Sequence, residues 1–134
     1  MHELVKRIKE PELCYVFAKN ATRKGHPELA LQAYRHAVDL RAQQHPVVGQ
    51  AEAAALKAIY AYEEALSYDR GKRTRATGTW QLVDRHGLLP AVGKRLKSRN
   101  ADELQAVLSE LGMEDYSFSA VYAAYPEAFE ELAA

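Results

Sequence analysis

Apolar residues recur at three- and four-residue steps along nearly the whole chain, and nowhere do they alternate with period two over a useful length, so the pattern predicts helices and no sheet. Leu13, Phe17 and Ala21, with Cys14 beside them, form one stripe; Pro11 suits a first turn and Gly25 a helix end, which predicts a helix from Pro11 to Lys24. The next runs from Pro27 to Gln44. Its polar positions, Glu28, Gln32, Arg35 and Asp39, make one narrow strip, so the rest of its surface must lie against neighbours. The longest helix is expected from Pro46 to Gly71, with Val48, Ala51, Ala55, Ile59, Tyr62 and Leu66 as its packed stripe and Lys57, Tyr60, Glu64 and Tyr68 turned away from it.

A Gly-, Thr- and Arg-containing connection, Gly71 to Gly78, leads to a short helix over Thr79 to His86, which Gly87 can end, and to another from Leu88 to Arg99 with Pro90 in its first turn. Asn100 with Glu103 three residues on is a capping pattern opening a helix whose stripe is Leu104, Val107, Leu108 and Leu111, closed at Gly112. Phe118, Val121, Tyr122 and Tyr125 mark a further short helix ended by Pro126, and Pro126 to Leu132 can add a last turn or two. The fold class is therefore all-α: one compact domain of seven or eight helices over residues 1–134, with a helical-hairpin part (1–70), a basic part (71–100) and acidic C-terminal helices (101–134).

Within Leu13 to Leu40, the residues Ala18, Gly25, Leu29, Ala30, Ala33, Tyr34 and Ala37 supply alternating small and large packing positions around a mid-hairpin Gly. That segment, and the 11–44 stretch around it, resembles a tetratricopeptide-like helical hairpin, although the pattern does not recur at a 34-residue step. The resemblance implies hairpin packing. Arg73 to Gly87, reading RTRATGTWQLVDRHG, is similar to small bacterial all-helical domains associated with DNA-restriction genes, a resemblance that assigns no residue a role.

Charge changes the picture most. The chain has 18 Lys and Arg against 18 Asp and Glu, yet the balance is local: nine against eight before Asp69, nine against two from Asp69 to Asn100, and none against eight from Ala101 onward. A basic middle of this density attracts phosphates and the acidic end repels them. The candidate nucleic-acid contacts are Arg70, Lys72, Arg73 and Arg75 on the connection, Gln81 and Arg85 on the exposed side of the short helix, and Lys94, Arg95, Lys97 and Arg99 on the outer side of the helix after it. Arginines on a Gly-containing connection can follow a phosphate chain, while a Gln and an Arg on one helical face are of the type that reads base edges. Tyr60 and Tyr68 are candidates for stacking on a base, and Trp80, on one side with Ala76 and Val83, is expected in the core.

Other chemistries fare worse. A single cysteine, Cys14, excludes an internal disulfide and fits a reducing compartment. No apolar run approaches a membrane span and the first residues lack a signal-peptide core, so the expectation is a soluble cytoplasmic protein with no membrane partner. No phosphate-binding loop, nucleophile elbow, dinucleotide fingerprint or metal-ligand spacing is present, so no cofactor, metal or small-molecule substrate is inferred. Asp84 and His86 could suggest a small nuclease, but positions two apart on a helix point in different directions. The reading is a non-catalytic module that binds DNA or RNA, an accessory factor in bacterial nucleic-acid processing or defence. The alternatives are a protein–protein adaptor docking partners, or copies of itself, on its basic and acidic faces, and a charge pattern that pairs in cis.

Overall fold

The computed structural model describes residues 2–47, 49–97 and 104–133, the last four by backbone alone, and among these the fold is all-α with no strand. In chain order the helices are α1 (Glu3–Lys6), α2 (Pro11–Arg23), α3 (Pro27–Gln43), α4 (Gln50–Arg70), α5 (Thr77–His86), α6 (Leu88–Leu96), α7 (Gln105–Glu110), a 3-10 turn (Glu114–Tyr116), α8 (Phe118–Ala124) and α9 (Pro126–Ala133). The periodicity anticipated all but α1 and the 3-10 turn, both too short to display a period. Helix α4 begins at Gln50 and not at Pro46, because Gly49 is extended and serves as its N-cap. The Asn100–Glu103 capping pattern, Arg99 and Val48 lie outside the described residues, as do the Glu130 and Glu131 side chains.

The helices form two compact units divided between Pro46 and Val47. Helix α4 thus belongs with the basic and acidic stretches and not with the hairpin before it. In residues 1–46, α2 and α3 pack as a hairpin whose seam is made of small residues: Cys14, Ala18 and Ala21 against Ala30, Ala33 and Ala37. The turn between them is fixed by backbone chemistry. Gly25 takes a left-handed φ of 84°, and the His26 N–H reaches back to the Ala21 carbonyl at 2.8 Å while the Gly25 N–H reaches that of Thr22 at 3.2 Å, satisfying carbonyls the helix end would otherwise strand. Segment α1 is tied to the hairpin by the His2 N–H donating to Gln32 Oε1 at 2.7 Å and by His36 Nε2 donating to the Ile8 carbonyl at 2.8 Å.

The expected stripe on α2 is rotated by one position. Cys14 and Ala21 are buried as anticipated and Phe17 is half-buried, but Leu13 is 52% exposed and Ala18 takes its place in the seam. Close approach of two helix axes favours small side chains at the contact, so the large residues flank the seam or leave it.

In residues 47–134 the core is built on α4. Ala55, Ala58 and Ile59 meet Val92 of α6, Phe118 and Val121 of α8, and Phe129 of α9, with Trp80, Val83, Leu88, Leu89 and Leu96 packed around them. The acidic end is therefore folded structure: Ser117 caps α8 by accepting from the Ala120 N–H at 3.1 Å, and α9 contributes Phe129 to the same core that holds the basic helix α6. Among the described residues no helix is long and apolar enough to cross a membrane.

If the small-residue seam sets the hairpin spacing, Ala33→Leu should destabilise the protein by about 1–3 kcal/mol through overpacking, whereas Leu13→Ala should change stability by less than about 0.5 kcal/mol, as exposed substitutions do. Urea unfolding of both variants checks this. A larger loss for Leu13→Ala would place that side chain in the seam.

Candidate nucleic-acid interface

Helix α4 is buried on almost every side from Ala55 to Ser67, and two neighbouring carboxylates, Glu63 and Glu64, sit inside that buried stretch. A carboxylate removed from water requires compensating donors. The downstream chain supplies them. After Arg70, Gly71 turns left-handed with φ 72°, and the connection runs back along α4. Arg73 donates through Nη1 to both oxygens of Glu64, at 2.7 and 2.9 Å. Ser67 Oγ accepts from the Thr74 N–H at 2.9 Å and donates to the Glu63 carbonyl at 2.8 Å. Glu63 Oε2 accepts from the Ala76 N–H at 2.8 Å and from Trp80 Nε1 at 2.7 Å.

This latch changes the roles of three predicted residues. Arg73 does not sit on a freely moving loop: its charge is committed to Glu64, whose side chain is 3% exposed, although the Arg73 side chain itself remains 48% exposed. Tyr60 does not face outward. It is 9% exposed, with its ring 5.0 Å from that of Trp80, because the connection and α5 cover the side of α4 that the apolar stripe had left open. Trp80 packs against the core cluster as expected but is only half-buried, with the Arg75 guanidinium over its ring at 5.6 Å. Arg95 is a fourth departure: its Nη2 donates to Tyr62 Oη at 2.6 Å and its guanidinium lies over that ring at 5.0 Å, so it packs α6 onto α4 and is half-buried.

The remaining predicted contacts lie at the surface. Arg70, Lys72, Arg75, Arg85, Lys94 and Lys97 are exposed, as are Gln81 and Tyr68. Among the described residues, Arg70, Lys72, Arg85, Lys94 and Lys97 have no carboxylate partner. Asp84 and His86 are exposed on α5, and no group of three or more His, Cys, Asp and Glu side chains among the described residues could hold a metal ion. On the acidic side, Glu114, Asp115 and Glu127 are exposed.

Glu63 and Ser67 are residues that sequence reasoning passed over, and Glu64, expected to turn away from the packed stripe, is buried instead. Their signal was present: two adjacent acids inside an otherwise apolar helical run, IYAYEEALSY, with the chain's densest cations a few residues later. No family model, curated protein or solved structure matches this chain.

The two halves of the ion pair are unequally replaceable. Arg73→Ala leaves a buried carboxylate without its cation and should cost stability near the lower end of the ~3–5 kcal/mol seen when a buried pair is broken. Glu64→Ala leaves Arg73, whose side chain is half-exposed and reachable by water, and should cost distinctly less. Chemical denaturation of the two single variants gives the order, and the reverse order would show that Glu64 is not the buried partner.

Proposed function

We propose that residues 47–134 form a non-catalytic recognition module that binds nucleic acid through phosphate contacts, as an accessory factor. The observation that carries this reading is the set of six exposed cations, Arg70, Lys72, Arg75, Arg85, Lys94 and Lys97, distributed over the α4 end, the connection, α5 and α6. Side chains that already serve the fold, Arg73 and Arg95, are excluded from it. Cations left in water rather than paired are available to displace counterions from a phosphate backbone, and a connection held by Glu63, Glu64 and Ser67 presents them with less ordering cost than a mobile loop. Gln81 and Arg85 on the outer side of α5 add groups able to contact base edges.

A second reading rests on the other unit. Leu4, Leu13 and Val16 are exposed apolar side chains on α1 and α2, which favours a protein-docking role for the tetratricopeptide-like hairpin.

Titrating a nucleic-acid oligonucleotide across a salt series tests the main reading. With six cations engaged, log K should fall against log salt with a slope no steeper than about −5.4 on duplex and about −4.2 on single strand. Converting Arg70, Lys72, Lys94 and Lys97 to Ala should flatten the slope by roughly 0.7–0.9 for each phosphate left unneutralised, with the far-ultraviolet helix signal unchanged. Absence of binding near 50 mM salt would leave protein docking as the function, and a sedimentation shift on adding a partner would then be the observation to seek.

A further inference from the structure

We infer that the module prefers single-stranded nucleic acid to duplex, stacking unpaired bases on two platforms, Tyr68 and the Arg75 guanidinium backed by Trp80; this rests on the nucleic-acid reading and specifies its substrate. The first platform is direct. Tyr68 is 52% exposed in the last turn of α4, immediately before Arg70 and Lys72. The second is layered: Arg75, exposed, lies over the Trp80 ring at 5.6 Å, within the ~6 Å range of a cation–π contact. Trp80 in turn is fixed by the tilted Tyr60 ring, 5.0 Å away between centroids, and at its edge by the 2.7 Å hydrogen bond to Glu63. An exposed guanidinium beside an aromatic is a cationic group of the kind on which splayed bases stack.

The stacking mode selects the strand form. Trp80 is anchored at the level of Tyr60 and Glu63, while Tyr68 lies five to eight residues further along the same helix, about 8–12 Å by the helical rise. On the helical wheel Tyr68 falls about 40° from Glu64, so it borders the face along which the connection runs. Bases in a stacked helix are spaced by about 3.4 Å, and those of a duplex present only edges to a protein. Stacking on Tyr68 or on Arg75 therefore requires unpaired bases, and Lys72, between the two in the chain, is placed to meet their phosphates. The same aromatic-and-cation combination underlies sequence-tolerant single-strand binding generally.

The test compares a fluorescein-labelled oligothymidylate of about fifteen nucleotides, an abasic oligomer of equal length, and a duplex of equal length, each titrated against the wild type, Tyr68→Ala and Arg75→Lys at one low salt concentration. The base-bearing single strand should bind at least about fivefold tighter than the abasic oligomer, the smaller end of what one base–aromatic stack contributes, and tighter than the duplex. Each variant should lose about fivefold or more on oligothymidylate and nothing on the abasic oligomer, since Arg75→Lys keeps the charge and removes the plane. The single tryptophan adds a second readout: its emission should change with oligothymidylate and not with the abasic oligomer. Equal affinity for base-bearing and abasic strands, tighter binding of duplex, or equal losses of Arg75→Lys on both single strands would overturn the stacking platforms while leaving phosphate binding intact. Failure of all three oligomers to bind would remove the nucleic-acid reading and the platforms together.

Discussion

Burying two adjacent carboxylates in the middle of α4 constrains everything that follows Arg70. Glu63 and Glu64 have no water to turn to, so the chain after the helix must return and supply an arginine, a backbone N–H and an indole N–H. That requirement sets the path of the connection, the start of α5 and the orientation of Trp80. It also explains why a connection containing Gly71 and Gly78, open on sequence grounds to many conformations, runs in one direction. The desolvation cost of such groups makes them weak evidence for net stability and stronger evidence for a specified arrangement. Here the arrangement specified is the one that presents Arg75 and Lys72 outward.

The sequence made the fold class and most helix limits legible because amphipathic period and end signals act locally: Pro11 and Pro27 open their helices, and Gly71 and Gly87 follow the ends of α4 and α5. What it obscured depended on contacts made at a distance. A helical wheel of α2 favours Leu13 for the interior, yet the α3 facing it is lined by Ala30, Ala33 and Ala37, and only small residues allow that approach. Tyr60 was turned outward by the period of α4 alone; it became interior when the returning chain laid Trp80 on it. Of the candidate cations, Arg70, Lys72, Arg85, Lys94 and Lys97 are exposed with no carboxylate partner among the described residues. Arg73 and Arg95 differ from them only in having a carboxylate and a phenol within reach, which charge counting cannot register.

The opposed charge of the two final stretches takes on a definite form once the packing is known. The basic helix α6 and the acidic helix α9 are neighbours within residues 47–134, joined through Val92 and Phe129 in a common apolar core, and Phe129 also lies 5.3 Å from Tyr122 of α8. Lys94 and Lys97 on that basic helix have no carboxylate partner among the described residues. The shared apolar core holds the two helices together. Exposed ion pairs would have contributed little stability in any case. Lys94, Lys97 and Glu127 stay exposed, and in water a cation attracts phosphates while an acid repels them within about 10 Å, the reach of charge at 0.1 M salt. On the nucleic-acid reading proposed above, an acidic helix fixed beside a basic one by a shared core would limit the extent of the phosphate-binding surface and turn a bound strand toward the connection and α5.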